Sequence, residues 1–567
     1  MADPEKTPAT HRRPNATVTG ASFTNSVVII LPSIGRDLDI PDSRLQWIVS
    51  AYALTFGCFL LLWGRIADVF GKKAIFVAGS AWVTATTVAN PFIPNEVVFN
   101  LFRGLQGLGA AANVPTAIGI LGTTFPPGKA KNYAFAAYGA GAPLGSIFGN
   151  LLSGLITSYA NWKWVFGVLA ILAGVVTLVG YLIIPAQPPP ALVYAGSTNN
   201  ASTPPRVPPM IRSIDWFGGF LITLGLVGLL FALTEGNVVG WSTPWVGVLI
   251  GVSLLLVAAF VLWQMWLERP YNVQKQLAGH AWPPRPLVRI SIFSRSGGPF
   301  GAALIIMALF FSSFNGFLVY ATYFYQDYQG LSAIQTTLRF IPTGVAGILT
   351  CFVVARLLSV VPTYLILLFG NAAVSISSLL LAVPIPAITT SYFAYGLPAM
   401  IFSVIGADTA WPSLTLFVSH ALPQEDQALG GALVNMAGQI GRAIGLAIAT
   451  AIQTAVMASE RGVDVAHVGS TQVHDEPTLK GLRAGNWFNF ALGVSSFLVV
   501  LLSFRGSGIV GKIPDKPSAQ PLQRPIDEAT PSQPSAQAQT PVDIEAGHGA
   551  TDRACHNNAI GVAVSKD

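Results

Sequence analysis

Long apolar runs dominate this chain, and their length limits what it can fold into. A helix needs about 20 predominantly apolar residues to cross the hydrocarbon core of a bilayer. Fourteen segments reach or approach that length, and the first, which holds several polar residues, is the weakest: Val18–Gly35, Leu45–Trp63, Ala74–Ile93, Val97–Phe125, Tyr133–Tyr159, Trp164–Ile184, Ile214–Leu233, Trp245–Trp266, Phe300–Tyr323, Ala333–Leu357, Thr363–Val383, Ile388–Val418, Leu429–Met457 and Trp487–Phe504. Because lipid offers no partner to an unpaired backbone group, all fourteen are predicted to be helices. The predicted fold class is an all-α polytopic membrane protein.

The composition excludes the main soluble classes of protein. Charged residues make up only 10% of the 567 residues, against roughly 25% in a typical soluble protein. A cytosolic enzyme and a largely disordered chain are therefore excluded. The net charge of +6 does not indicate a nucleic-acid partner, because the basic residues lie between the apolar runs. The partner that this composition predicts is the lipid bilayer.

Lysine and arginine residues set the predicted orientation in the membrane. Cytoplasmic segments of membrane proteins carry an excess of both residue types. With the N-terminus inside, the inside segments hold 22 of them and the outside segments hold six. We therefore expect both termini in the cytoplasm, together with residues 64–73 and 267–298, whereas residues 460–485 are expected outside.

A short basic segment with two glycines follows the second predicted span, Gly64-Arg-Ile-Ala-Asp-Val-Phe-Gly-Lys-Lys73. Gly64 and Gly71 allow a tight turn between two helices, and Lys72 and Lys73 favour a cytoplasmic position. Asp68 is a lone carboxylate at the membrane edge, suited to pairing with a cation or capping a helix N-terminus. The alternative is an ordinary basic turn with no further role.

This segment resembles the loop between helices two and three of the major facilitator superfamily, whose pattern is G-x-x-x-D-x-x-G-[RK]-[RK]. The resemblance implies a fold of two six-helix halves and a cytoplasmic latch that holds the halves in one access state, with Asp68 carrying the charged contact. The fourth span is similar to the family pattern R-x-x-Q-G-x-G-A-A at Arg103 and Gln106. Fourteen spans are similar to the fungal-type drug:proton antiporters of this superfamily, in which spans seven and eight are inserted between the halves.

The fifth span resembles the exporter motif of the same family. It reads Gly139-Ala-Gly-Ala-Pro-Leu-Gly-Ser-Ile-Phe-Gly149, and Ala142 replaces the usual glycine before Pro143. The residues that carry the resemblance are Gly141, Pro143, Gly145 and Gly149. Small residues repeated every four positions also let helices approach closely. Export and simple packing therefore remain alternative interpretations of the same residues.

The resemblance and the composition together predict a domain plan. Its parts are a cytoplasmic arm at 1–17, an N-terminal six-helix half at 18–184 with a short first helix, a cytoplasmic loop at 185–213, two inserted helices at 214–266, a basic cytoplasmic loop at 267–298, a C-terminal six-helix half at 299–504 and a disordered cytoplasmic tail at 505–567. The tail is rich in Pro, Gln, Ser and Ala, which cannot bury enough apolar surface to fold.

Polar side chains within the spans are candidates for a transport pathway, because burying a polar group in lipid is costly. Helical spacing places two such groups of residues on single helix faces: Arg103, Gln106 and Asn113 on the fourth span, and Asn435, Gln439, Arg442 and Gln453 on the thirteenth. Each face is either a wetted cavity wall or a set of hydrogen bonds between helices. Arg339 lies in the outer third of the tenth span, where a long side chain can reach the interface.

Carboxylates are the candidate proton sites. Asp408 is the only one well inside a span, so it is either a proton carrier or a structural residue, and Arg442 is its candidate partner. Asp215 and Glu235 lie at the ends of the seventh span, where we expect solvent.

The predicted function is a proton-coupled secondary transporter that exports drugs, toxins or secondary metabolites. Uptake of a small nutrient or inorganic solute is the alternative on the same fold, and a non-transporting sensor or a membrane enzyme is less well supported. The sequence has no P-loop and no His/Cys metal pattern, so no cofactor and no metal are expected. The expected partners are a small-molecule substrate, protons and lipid. A monomer is expected, in the plasma membrane or in a vacuolar or other internal membrane.

Overall fold

The computed structural model describes residues 27, 30, 31, 33–35, 37–40, 47–125, 128–185, 214–277, 283–294, 299–383, 390–422, 426–469, 471–505, 508 and 509. The predicted arm at 1–17 and the loop at 185–213 lie almost entirely outside these residues, as does nearly all of the tail at 505–567. The described part of the first predicted span is helical, and its Val27, Ile30 and Ile34 are fully buried.

Helices make up nearly all of the described structure. In chain order they are α1 (Trp47–Phe70), α2 (Lys72–Ala89), α3 (Glu96–Thr124), α4 (Lys129–Tyr159), α5 (Lys163–Ile183), α6 (Trp216–Val239), α7 (Pro244–Leu267), α8 (Pro270–Leu277), α9 (Ser291–Ser294), α10 (Pro299–Tyr323), α11 (Ala333–Val360), α12 (Thr363–Ala382), α13 (Tyr392–Ala421), α14 (Gln427–Arg461) and α15 (Glu476–Ser503). A π-helical turn, Phe324–Tyr328, extends α10. Each predicted span from the second to the fourteenth coincides with one long helix.

Ten helices in the described part of the chain are long and apolar enough to cross a membrane by length and composition. The long helices α2, α3 and α4 are not among them, because they are rich in Gly, Ala and Thr. Such small residues lower the hydropathy of a helix but allow close packing against its neighbours. The chain is therefore a multi-pass membrane protein.

Helix packing forms an N-terminal and a C-terminal group with an interface between them. In the first group α3 packs on α1 and α2, and α2 packs on α5. In the second group α10 and α12 pack on α15, and α14 packs on α10. The groups meet where α1 and α3 contact α14, and where α4 contacts α11 and α13. The helices α6 and α7 pack on each other, and α6 also contacts α1 and α14.

The last long helix begins earlier than the apolar run predicts. It starts at Glu476, whereas the predicted span starts at Trp487. Asp475 is its N-cap and accepts a hydrogen bond from the backbone N–H of Thr478, and a proline occupies the first turn. Capping and proline at the first turn both favour a helix start, so the helix extends beyond its apolar part.

Asp215 corrects the expectation that both carboxylates of the seventh span are solvated. Its side chain is fully buried at the start of α6. It accepts hydrogen bonds from the backbone N–H of Gly218, the indole of Trp263 and the amide of Gln264. These donors, two of them on α7, replace water, so Asp215 ties the two helices together. Glu235 is half-buried rather than exposed.

Candidate functional site

The turn between α1 and α2 has the geometry that its glycine predicts. Gly71 adopts a φ of 102°, a region that residues with a side chain rarely adopt. Lys73, beyond the turn, places its ammonium 5.5 Å from the ring centroid of Tyr181 on α5. The turn therefore positions Asp68 on the last turn of α1 and Lys72 on the first turn of α2.

Asp68 caps a helix of the other group. One carboxylate oxygen accepts from the backbone N–H of Leu429 at 2.9 Å, and the other from that of Ala428 at 3.3 Å. These are first-turn amides of α14, which have no partner within their own helix. The N-cap residue of α14, Asp426, makes no side-chain cap of its own. Asp68 supplies this cap from a helix about 360 residues earlier in the chain.

Two buried ion pairs surround this contact. The ammonium of Lys72 lies 3.5 Å from the Asp68 carboxylate, and the guanidinium of Arg65 lies 3.2 Å from that of Asp426. All four side chains are at most 10% exposed. The sequence drew attention to Asp68 and Lys72 but not to Arg65 or Asp426. Arg65 lies one turn before Asp68, so helical spacing could have placed both side chains on one face of α1. Nothing in the sequence connects Arg65 to Asp426.

Gly64 permits the helices to approach this closely. A Cβ atom added at Gly64 would lie 2.7 Å from the Cβ of Ala432 and 3.1 Å from the carbonyl oxygen of Ala428. Real side chains do not tolerate the first of these distances, so any larger residue would push α1 away from α14. We name the contact of Gly64, Arg65, Asp68 and Lys72 with the start of α14 the latch.

Arg103 and Gln106 form a buried hydrogen-bond network on α3. Arg103 is fully buried, donates from Nε to the carbonyl oxygen of Ile48 at 2.9 Å and from Nη1 to Gln106. Gln106 donates in turn to the hydroxyl of Thr87 at 2.7 Å. The guanidinium also lies 5.0 Å from the ring centroid of Tyr52. The network joins α3 to α1 and α2.

Asn113 is not part of that network, although the sequence placed it on the same face of α3. Its side-chain oxygen accepts from the hydroxyl of Ser80 on α2 at 3.3 Å. Gly79 approaches it closely enough that an added Cβ would lie 2.7 Å from the same oxygen. The structure thus divides the three polar residues of α3 between two contacts with α2.

The exporter-type helix α4 is packed tightly against the C-terminal group. A Cβ added at Gly139 would lie 2.6 Å from Cγ of Pro412 on α13. Cys351 on α11 donates its thiol to the carbonyl oxygen of Ala136 at 3.0 Å. Gly141, Gly145 and Gly149 are buried, and Pro143 lies within the helix.

Aromatic and charged side chains from both groups meet at the middle of the helices. The ring of Trp411 on α13 lies 5.6 Å from that of Tyr138 on α4 and 6.3 Å from that of Phe311 on α10. The guanidinium of Arg442 on α14 lies 5.5 Å from the Phe311 ring. At a rise of 1.5 Å per residue these residues lie about 14–22 Å from the latch ends of their helices. That is near the centre of a hydrocarbon core about 30 Å thick.

Asp408 lies one turn from Trp411 and is 5% exposed. Its Oδ2 is enclosed and has no hydrogen-bond partner among the described residues. Arg442, the partner suggested by the sequence, forms no ion pair with it in the described structure, and Nε of Arg442 is itself unpaired. The two opposite charges that the sequence offered as partners therefore stay apart in this state.

Three of the polar residues on α14 have separate surroundings. Asn435 donates to the carbonyl oxygen of Gly431 on its own helix at 2.9 Å. Gln439 faces α1, where a Cβ added at Gly57 would lie 3.3 Å from its Cβ. Gln453 lies further toward the opposite end and contacts the sulfur of Met457. The stripe therefore runs from the interface with α1 into the C-terminal group.

Several buried polar atoms near the central aromatic residues have no hydrogen-bond partner in the described part of the chain. They are the hydroxyl of Tyr138, Oδ2 of Asp408, Nε1 of Trp411 and Nε of Arg442. Buried polar atoms in folded proteins are rarely left without a partner. We name the region around these four side chains the central site, where a polar molecule or water would supply the missing partners.

Comparison with known proteins agrees with this architecture. The sequence pattern of the Major Facilitator Superfamily matches residues 15–243 and 213–446. The chain is similar to the low affinity ammonium transporter of Saccharomyces cerevisiae, with 30% identity over 394 residues that cover 69% of this chain and 70% of the relative. It is also similar to the efflux pump terG of Aspergillus terreus, with 29% identity over 428 residues that cover 74% and 75%.

The fold is similar to that of a solved transporter structure, the human organic anion transporter MFSD10 (TETRAN). The TM-score is 0.57 at 12% identity, over 87% of this chain and 100% of that chain. At such low identity the likeness concerns the fold alone. The relatives and the fold are those of transporters and not of enzymes. With a family pattern matched over most of its length, the chain belongs to the Major Facilitator Superfamily.

Proposed function

We propose that this chain is a proton-coupled antiporter that exports small organic molecules such as drugs, toxins or secondary metabolites by alternating access. The observation that supports this most is the latch, where Asp68 of the N-terminal group caps α14 of the C-terminal group. The latch closes one end of the interface between the groups. The central site lies beyond it, at mid-depth, where secondary transporters bind their substrates.

The latch is suited to opening and closing. Apart from backbone contacts at Gly64, it consists of two charge-assisted hydrogen bonds and two ion pairs. Hydrogen bonds to charged groups contribute about 1.5–3 kcal/mol each. A substrate or proton can reverse the equilibrium if its binding free energy differs between the two access states by a similar amount.

Proton coupling is assigned to Asp408 in this proposal. A coupled antiporter needs a group whose protonation differs between its two access states. An ionised carboxylate without a counter-ion costs several kcal/mol in a low-dielectric interior, and binding a proton removes that cost. Asp408 has no such counter-ion among the described residues. Movement of Arg442 or of water toward it would favour release of the proton.

The finer classification also belongs to the proposal. We place the chain among the fourteen-span drug:proton antiporters, with six-helix halves at 18–184 and 299–504 and with α6 and α7 as the two inserted helices. Contacts of α6 with both α1 and α14 support a position beside the interface of the halves. We further propose a monomer in the plasma membrane, with both termini in the cytoplasm and no nucleic-acid partner.

Uptake of a small solute is the second candidate function. The observation in its favour is the 30% identity to a yeast protein named as a low affinity ammonium transporter. Export is preferred because the similarity to a protein named as an efflux pump covers slightly more of the chain, and because α4 resembles the exporter motif.

Flux measurements with the purified full chain in proteoliposomes separate the two candidates. Rhodamine 6G serves as the export probe and labelled methylammonium as the uptake probe, each with and without an imposed proton gradient. An antiporter moves rhodamine 6G against the proton flow, and an uncoupler abolishes the resulting rhodamine 6G accumulation. Methylammonium flux without any gradient-driven rhodamine 6G flux would support uptake instead. Absence of flux and of counterflow for either probe would favour a sensor.

The orientation is tested by single cysteines in a cysteine-free background. Arg289 and Val473 are both exposed, the first before α9 and the second before α15. We expect a membrane-impermeant maleimide applied to intact cells to label Val473→Cys but not Arg289→Cys, which reacts only after permeabilisation. The reverse pattern would overturn the assignment of the latch to the cytoplasmic side.

A further inference from the structure

A cavity lies at the end of the C-terminal helices opposite the latch. Its volume is about 330 Å³, and it lies between the π-helical turn, the first half of α11, the start of α13 and the segment before α15. The residues that matter for its chemistry are Gln329, Arg339, Ser391, Tyr392, Tyr395 and His474. None of the described residues that line it is acidic. It is separate from the central site, and the proposed transport cycle does not use it.

Arg339 lies against two aromatic rings at this cavity. Its guanidinium lies 4.9 Å from the ring centroid of Tyr325 and 5.2 Å from that of Tyr392. The hydroxyl of Tyr392 donates to the Arg339 carbonyl oxygen at 2.7 Å, which fixes that ring against the start of α11. Cation–π contact with two tyrosine rings restricts where the guanidinium can lie.

Some N–H groups of the Arg339 guanidinium have no acceptor among the described residues. Nη1 donates to the side-chain oxygen of Gln329, whose own amide donates to the hydroxyl of Tyr395. Nε and Nη2 of Arg339 donate to no described residue, and neither is enclosed. An arginine has five N–H donors arranged to match a planar carboxylate. Arg339 is therefore oriented by its neighbours and retains donors for a ligand.

The surrounding charges favour an anion. The first turn of α13 borders the cavity with Ser391 as its N-cap, and a helix N-terminus carries a partial positive charge. Two carboxylates flank the lining segments, Asp327 before Tyr328 and Asp475 after His474, and neither is among the described lining residues. Asp327 accepts from Thr471 at 3.2 Å, and Asp475 accepts from Arg461 at 2.6 Å. The Arg461 hydrogen bond also holds the pKa of Asp475 below its ordinary value.

We propose that this cavity binds a small planar organic carboxylate about the size of benzoate. The carboxylate accepts hydrogen bonds from the unused N–H groups of Arg339, and the ring of the ligand packs against the tyrosines that line the cavity. Ligand cavities for small molecules start at about 300 Å³, so a cavity of 330 Å³ admits a single ring. In the predicted orientation this site faces the extracellular side.

Equilibrium binding to the full chain in lipid nanodiscs tests the proposal without requiring transport. Benzoate is compared with benzamide, which has the same ring without the charge, and with inorganic phosphate, which has charge without a ring. We expect benzoate to bind at least about tenfold more tightly than either, since a charge-assisted bidentate contact is lost with benzamide and ring packing with phosphate. Equal affinity for benzamide, or no benzoate binding up to about 10 mM, would overturn it.

Variants locate the binding. Arg339→Gln should weaken benzoate binding by about tenfold or more. Tyr392→Leu retains the charge of Arg339 but removes a ring from the cavity, so it should weaken binding by severalfold. Lys480→Gln is the matched control, because Lys480 is a half-exposed cation at the same end of the molecule that pairs with Glu460 and Glu476. Tight benzoate binding retained in both cavity variants, or lost in Lys480→Gln, would place the ligand elsewhere. Since transport is not measured, loss of the antiport function would leave these outcomes unchanged.

Discussion

Asp68→Asn is expected to lower the transport rate by about tenfold or more while the chain stays folded and in the membrane. The amide keeps the size of the side chain but offers one acceptor oxygen where the carboxylate has two. Only one of the backbone N–H groups of Ala428 and Leu429 then keeps its partner. The attraction to Lys72 and to the positive end of α14 is lost as well.

The magnitude follows from the hydrogen bonds concerned. A hydrogen bond to a charged group contributes about 1.5–3 kcal/mol, and every 1.4 kcal/mol changes an equilibrium about tenfold. The lost hydrogen-bond free energy destabilises the state in which the latch is closed. The protein then spends less time in that state, and the cycle slows at the step that requires it.

Lys73→Gln is the control for this variant. It removes a charge from the same turn, but Lys73 contacts Tyr181 on α5 and not α14. We expect its transport rate to stay within about twofold of the wild type, since the half-buried Lys73 charge lies against α5 and forms no ion pair among the described residues. If Asp68→Asn transported at the wild-type rate, or if both variants failed equally, the segment would be a basic turn and not a latch.

The opening of the latch is measurable separately from transport. Ser419 is buried near the end of α13, and a Cβ added at Gly122 on α3 would lie 2.9 Å from its hydroxyl. A cysteine replacing Ser419 should react slowly with maleimide in the otherwise unaltered chain. It should react faster when Asp68→Asn is added, because α3 and α13 then separate more often. Unchanged reactivity would mean that Asp68 does not control this end.

The helices could be predicted from sequence because lipid imposes strict conditions. An apolar run of sufficient length in a membrane has little alternative to a helix, and each run from Leu45 onward corresponds to one. The helix ends were predicted less well. The start of α15 depends on Asp475 and the proline that follows Glu476, polar signals that lie outside the apolar run.

Partners in the candidate site could not be predicted, because they are set by tertiary packing. The segment from Gly64 to Lys73 indicated that Asp68 contacts something, but its partners lie on α14, far along the chain. The same reason explains the error at Asp215. Its position at the end of a span suggested solvent, whereas the packing of α6 on α7 brings Trp263 and Gln264 to it.

Helical spacing gave the face of a residue but not its contacts. Arg103 and Gln106 are joined as their spacing allows, yet Asn113 bonds to Ser80 instead. Arg442 was a reasonable partner for Asp408 by depth, and the structure leaves the two unpaired. Position along a helix therefore follows from sequence, whereas the pairing of charges on neighbouring helices depends on how those helices are rotated.

Asp408→Asn is the variant with the second large expected effect. The amide is nearly the same size and cannot exchange a proton, so substrate binding and the movement of the helices should persist. A gradient of one pH unit is worth about 1.4 kcal/mol per proton, enough for roughly tenfold accumulation in one-to-one exchange. We expect this accumulation to be lost, while proton-independent exchange of labelled for unlabelled substrate continues at a rate near that of the wild type.

Glu235→Gln is the matched control, because Glu235 on α6 also has an enclosed carboxylate oxygen, Oε1, without a described partner. It is half-buried, nearer the end of its helix and outside the central site. Accumulation should therefore survive in Glu235→Gln. If accumulation survived in Asp408→Asn but not in Glu235→Gln, the proton site would lie on the inserted helices. If exchange and accumulation were both lost in Asp408→Asn, Asp408 would be a structural residue or a substrate ligand, because a group that only carries protons is not needed for exchange.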